Sequence, residues 1–325
     1  MTVSWGILAT GKIAHHFARD LALVPGHRIA AVGSRSVESA RTFVAEHGDA
    51  ETAAHGSYED LVADPAVDVV YVATPHGRHV EDVTLCFDAG LAVLCEKALT
   101  LDAASSQALV DDARARGLCF AEAMWMRTNP VMRALVAMVR EGQLGEVAQL
   151  RAELGFQAPA DVARLWRPEL GASSLLDVGI YPLTFANMVL GPPERIAAAG
   201  ELDENGVDLG GGATLVHPGG AVSSLAWTQR AWSDNRAAVS GDGGRIEIPS
   251  RFHEPREFTY AYGESLRTVT EEVVGRGYAH EIEEVGRCLE EGLTESPLLP
   301  LDETVAILGQ MDEIRRQIAA PPATV

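Results

Sequence analysis

Through its first 122 residues the chain alternates short apolar runs with segments whose apolar positions recur at helical spacing, and this alternation constrains the fold most. Residues 3–9 and the stretches "HRIAAVGSR", "VDVVYVA", "LAVLCE" and "LCFAEA" read as buried strands. Between them, Ile13, Phe17 and Leu21 mark one helix, and "VESARTFVAEHG", "SYEDLVADP", "HVEDVTLCFDAG" and "LDAASSQALVDDARARG" mark four more. Strands alternating with helices imply a doubly wound parallel sheet of Rossmann type, with ligands at the carboxyl ends of its strands.

After a helix near Pro130 to Glu141 the pattern changes. Strand-like stretches crowd together in "VAQLRAELGF", "GGATLVH", "AVSSLAWTQ", "RAAVSG" and "RIEIP", divided by turns such as "HPGG" and "GDGG". That pattern predicts an α+β domain on a large, mostly antiparallel open sheet. Two helical stretches follow, and "APPATV" reads as a disordered end. A chain of 325 residues accommodates both domains, and the change of pattern divides it into 1–122 and 123–325.

A formal net charge of −20 excludes nucleic acid and anionic membrane as partners. No apolar run reaches the length of about 18 residues that spans a bilayer, and no export signal opens the sequence. The expected location is the cytoplasm. Cys86, Cys95, Cys119 and Cys288 form no C-x-x-C pair, so they read as reduced thiols, and no metal site is expected. Of 26 basic residues only Lys12 and Lys97 are lysine. Arginine keeps its proton, whereas an ammonium can join proton transfer, so both lysines draw attention.

The first strand enters its helix through Ala9-Thr10-Gly11-Lys12-Ile13-Ala14, where a G-x-G-x-x-G fingerprint keeps only its middle glycine. The middle glycine has the strictest role, letting main chain approach a pyrophosphate before a helix N-terminus. By itself the loop is compatible with a nucleotide site or a plain strand-to-helix turn. At the second strand's end stand Ser34 and Arg35, with no carboxylate before Glu38. An arginine there suits the 2′-phosphate of NADP over the 2′-hydroxyl of NAD, the alternative being a surface arginine. Ala73, Thr74, Pro75, His76 and His79 follow the fourth strand, and Glu96 and Lys97 end the fifth, all at the edge where a cofactor would lie. His15 and His16 read as an exposed helix turn. In "LLDVGIYPLTFANMVLGPP", Pro182 suits a helix start, so Asp177 and Tyr181 stand at its opening, with Gly179 allowing a tight backbone between them. Tyr181 is either a buried structural tyrosine or an acid–base group whose pKa a nearby lysine lowers.

Taken together, "GILATGKIA", "VATPHGRH", "AGLAVLCEKALT", "EAMWMR", "LLDVGIY" and "ESPLLPLDETVAILGQMDEIRRQI" resemble the Gfo/Idh/MocA oxidoreductase family over nearly the whole chain. The resemblance implies hydride transfer between a nicotinamide and a secondary alcohol or lactol of a sugar, polyol or diol. It assigns catalysis to Lys97 and Tyr181 with Asp177 in support, and substrate lining to Trp125, Arg127, Phe156 and Trp166. It also implies a homodimer or homotetramer. Two other readings fit the scaffold: a non-enzymatic NADP-binding regulator, and an NAD(P)-dependent glycoside hydrolase. Three departures stand out. Ala98 replaces the usual proline of E-K-P, so the loop holding Lys97 is expected to differ in shape. Ala172-Ser173-Ser174 replaces a glycine run, which would narrow or polarise the pocket. "MRTNP" lacks an aromatic that an aromatic-diol enzyme would carry.

Overall fold

Every residue of Val3–Leu8 is buried, and this run forms β1, inside a six-stranded parallel sheet. The computed structural model describes residues 2–320. From β1 the chain continues through α1 (Lys12–Leu21), β2 (His27–Gly33), α2 (Val37–His47), β3 (Ala53–His55), α3 (Tyr58–Val62) and β4 (Val69–Val72). It goes on to α4 (His79–Asp88), β5 (Ala92–Glu96), α5 (Ala103–Arg116) and β6 (Phe120–Ala123). The sheet order β3-β2-β1-β4-β5-β6 reverses direction at β1 and β4, as in a doubly wound dinucleotide fold. Local chemistry starts the helices where the sequence placed them. Ser36 and Ser57 accept from the amides of Ser39 and Asp60 to cap α2 and α3, and Asp102 caps α5 through Ser105. Phe17 of α1 stacks on Tyr71 of β4 at 3.7 Å, both fully buried; burying a side chain of this size contributes about 1.5–3 kcal/mol.

The second sheet has eight strands in the order β14-β13-β12-β11-β7-β10-β9-β8. Its elements are α6 (Pro130–Arg140), β7 (Val147–Gly155), α7 (Ile180–Leu190), β8 (Arg195–Leu202), β9 (Asp208–Val216), β10 (Val222–Thr228), β11 (Ala237–Gly241), β12 (Gly244–Ile248), β13 (Glu257–Tyr262) and β14 (Ser265–Thr270). Among the described residues, β7 and β10 pair in parallel and the other pairs of this sheet are antiparallel. Along β10, Ser223, Leu225 and Trp227 are buried while Ser224 and Ala226 face out, the period-two pattern of a sheet covered on one face.

The chain does not divide once at residue 122. One unit runs through Thr128 and regains the chain over Val274–Val305, including α8 (Ala279–Glu291); the other comprises Asn129–Val273 and the chain from Ala306, within α9 (Leu301–Ala319). The return is built from buried polar contacts. Asp20 of α1 accepts from the amides of Arg276, Gly277 and Tyr278, and Glu122 accepts from Thr304. These partners lie far apart in sequence, which periodicity does not report. Residues 168–190 form a helical stretch long and apolar enough to cross a membrane by composition, and 78% of its most apolar window is buried inside the protein. It is read as interior packing. The expected disorder in "APPATV" falls on 321–325, outside the described residues, apart from Ala320.

Candidate active site

The opening loop is shaped as the missing glycines would require. Ala9 has φ +80°, a left-handed conformation that an alanine adopts at a cost, and its amide donates to Gly33. Gly11 is different. Its φ of −73° is open to any residue, and an added Cβ would meet nothing within 4 Å. Neither backbone nor packing therefore requires glycine at this position, and the room above it is a cradle that a Cβ would partly fill. Helix α1 begins here with no side-chain cap and no acid in its first turn, which leaves amides and the positive dipole end for an anion. Ala14, the third fingerprint position, is fully buried, as the helix–strand packing role demands. Lys12 and Ile13 form the first turn, and Thr10 precedes the cap.

Arg35 is exposed at the end of β2 and forms no ion pair among the described residues, while Ser34 beside it is buried. Glu38 is tied to Ser36, whose hydroxyl and Glu38's own backbone amide hold its carboxyl below the usual range. After β4, Ala73 and Thr74 are buried, and the Thr74 hydroxyl has no hydrogen-bond partner among the described residues, so it can serve a ligand at that edge.

The Lys97 segment is fixed through its main chain. The ring Nε2 of His76 lies 3.0 Å from the Lys97 carbonyl. His79 is fully buried, with Nε2 on the Thr74 carbonyl at 2.9 Å and Nδ1 on those of Ala98 and Leu99, each at 3.1 Å. Burial lowers its pKa against the pull of those carbonyls. His79, expected at the cofactor edge, thus lies between the Thr74 carbonyl and those of Ala98 and Leu99, where a neutral imidazole donates from one ring nitrogen only. Glu122 receives the Leu99 amide at 3.0 Å. The Lys97–Ala98 peptide is cis although no proline follows the lysine. Glu96 accepts from the Tyr71 hydroxyl, and the Lys97 amide lies 3.2 Å from its other oxygen.

The same unit holds a set of buried acids that the sequence did not single out. Glu281 of α8 is fully buried, and neither carboxyl oxygen has a hydrogen-bond partner among the described residues. Burial, reinforced by Glu96, Asp20 and Glu122, pushes its pKa well above the usual carboxylate range. Burial also raises Glu122, Tyr71 and Tyr278. Trp125 stacks on Tyr278 at 4.6 Å, and Arg127 pairs with Glu303 at 2.8 Å.

In the other unit, Leu175–Gly179 forms a π-helical turn that runs directly into α7, so Asp177 and Tyr181 sit at its opening as expected. The turn is anchored by Asp208, another residue the sequence did not mark. Asp208 accepts from the hydroxyls of Ser173 and Ser174 and from the Leu175 amide. The two serines are buried and committed to this anchor, so they do not polarise a pocket. Gly179 is helical, and a Cβ would come within 3.0 Å of Trp227; close packing, not a bend, requires glycine there. Tyr181 is buried with its ring 4.9 Å from that of His253, and Asp177 pairs with Arg164 at 3.0 Å. Phe156 is partly buried, and Trp166 donates to the Pro159 carbonyl. The four expected substrate-lining residues thus divide, Trp125 and Arg127 in one unit, Phe156 and Trp166 in the other. A hollow of about 680 Å³ on the second sheet, lined by Arg151, Glu153, Ala226, Ala238, Arg245 and Glu247, contains none of these residues.

Two family models match the chain. "Oxidoreductase family, NAD-binding Rossmann fold" covers residues 3–124, and "GFO/IDH/MocA C-terminal domain" covers 132–247. The trans-1,2-dihydrobenzene-1,2-diol dehydrogenase of Bos taurus is 36% identical, with 98% of this chain and 97% of that protein aligned. Among solved structures, the aldose-aldose oxidoreductase of Caulobacter crescentus superposes with a TM-score of 0.89 at 23% identity, covering 98% of this chain and 97% of the other. A 3-ketoreductase from Actinomadura kijaniata, solved with NADP, gives 0.86 at 23% identity with 98% of each chain covered.

Proposed function

The chain belongs to the Gfo/Idh/MocA family of NAD(P)-dependent oxidoreductases acting on CH–OH groups, and we propose that its substrate is a sugar, polyol or diol and its cofactor NADP, which when bound supplies the nicotinamide C4 that takes up or returns the hydride. The residues present fit that cofactor. Gly11 and the uncapped start of α1, with Ala9, Thr10, Lys12 and Ile13, hold the pyrophosphate; Ser34 and Arg35 hold the 2′-phosphate; Ala73, Thr74, Pro75, His76 and Glu96 line the remainder. The observation that carries the reading is the Lys97 segment, fixed at the carboxyl edge of β5 by three side chains directed at its main chain.

Lys97 holds the substrate oxygen with its ammonium. Tyr181 takes the hydroxyl proton in oxidation and returns it in reduction, a role worth about 10²–10⁴ in rate. Asp177 orients Tyr181. Trp125, Arg127, Phe156 and Trp166 select the substrate. The free state of all four cysteines accords with a cytoplasmic enzyme. The charge-alternating outer face of the second sheet, with Arg151, Arg245, Glu153 and Glu247, suits pairing with a second copy in a homodimer or homotetramer.

A panel of aldoses, inositols and diols with NADP⁺, followed by NADPH absorbance, tests the reading; turnover of none of them overturns it. Arg35→Asp is expected to raise the KM for NADPH by about 10–100-fold, from loss of charge-assisted bonds worth about 1.5–3 kcal/mol, with NADH little changed. Equal change for both removes Arg35 from its role.

A further inference from the structure

His15, set aside in the sequence as part of an exposed helix turn, faces α2. Its Nδ1 lies 2.8 Å from Nε2 of His47 and 3.2 Å from Oε2 of Glu46, and His47 Nε2 lies 3.6 Å from that same oxygen. Three donors thus form a triangle with one imidazole from α1 and an imidazole and a carboxylate from the last turn of α2. A first-row cation bound at about 2.0–2.2 Å from nitrogen and oxygen ligands needs donor separations of about 3–3.5 Å, and the observed edges bracket that range.

The two rings are also held in place. Phe43, almost fully buried, has its ring 4.7 Å from His15 and 4.8 Å from His47. The His47 side chain is 9% exposed and that of Glu46 is 50% exposed, so the triangle is backed by protein and open to water on the carboxylate side. The carbonyl end of α2 favours a cation at this point; Arg19 opposes it, and Glu46 offsets Arg19.

We propose that His15, Glu46 and His47 form a binding site for a divalent first-row transition cation, Zn²⁺ or a neighbour that takes two imidazoles and a carboxylate, with water completing its coordination. The ion would clamp α1, which carries the phosphate-binding loop, to the end of α2. It takes no part in hydride transfer, so the proposal stands or falls apart from the oxidoreductase reading.

Metal-stripped protein is titrated with Zn²⁺ against a metallochromic indicator, and with Co²⁺ for its visible absorption. Wild type is expected to bind one ion per chain and to melt at a higher temperature with Zn²⁺ present. His15→Gln and His47→Gln, checked for folding by circular dichroism and NADPH binding, are each expected to weaken the site by at least about tenfold. Glu46→Gln should weaken it less, and His55→Gln should leave it unchanged. If wild type and the His15→Gln/His47→Gln double variant bind Zn²⁺ equally, or neither binds, the two histidines are only hydrogen-bonded to each other and the proposal is overturned.

Discussion

Lys97 and Tyr181 are held in opposite ways. Around Lys97, side chains from α4, from the turn before it and from β6 reach for main-chain carbonyls and an amide, so the loop is fixed whatever its own side chains are. Around Tyr181, one carboxylate, Asp208, gathers two serine hydroxyls and one amide, and a helix then carries the tyrosine at its opening. The first arrangement tolerates an alanine after the lysine, because its tethers are main-chain groups, the carbonyls of Lys97, Ala98 and Leu99 and the Leu99 amide. The second depends on one buried acid and on two serines in the right register.

The strongest test sets the two residues against each other. Lys97→Met and Tyr181→Phe are each expected to lower kcat by about 10²–10⁴ while NADPH binding, followed by fluorescence, stays near the wild-type value. Loss in one variant alone would leave the other residue without a catalytic role. A second test addresses the anchors. Asp208→Ala strands two buried hydroxyls and an amide and should cost about 3 kcal/mol in urea unfolding. His79→Ala should cost about 2 kcal/mol by removing a buried ring and the one hydrogen bond it donates, with a fall in kcat that Asp208→Asn does not reproduce. If the two anchors cost the same and kcat is untouched, the contrast drawn between them fails.

The smallest effect concerns the buried acid Glu281 of α8. With its pKa raised in the folded state, Glu281 contributes stability that is fully present below the ordinary carboxylate value of 4.5 and is lost as pH rises through the folded value. Glu281→Gln mimics the protonated acid at every pH. The variant should therefore be more stable than wild type at neutral pH, and the difference should shrink as the pH is lowered toward about 4.5. Thermal melts across that range check it; a constant difference would mean that Glu281 does not titrate on unfolding.

Much of this was legible in the residues alone. The alternation of strands and helices gave the parallel sheet, because a buried strand and a one-sided helix each leave a local period. The helix opening at Tyr181 was equally local. Gly11, Arg35 and Lys97 stood out because their chemistry is read from type and place. What escaped was long-range. The chain's return over Val274–Val305, the locking of His79 onto Ala98 and the Asp208 anchor each join residues far apart in the sequence, and the burial of Glu281 beside other acids is likewise set by packing. His79 in particular has the same identity and spacing whether it faces a cofactor or two carbonyls. The sequence by itself thus determined which elements form and which side chains carry chemistry, since both follow from local period and residue type. Only tertiary structure decided which polar groups are satisfied by other protein groups, because burial and partner choice are set by packing across the chain.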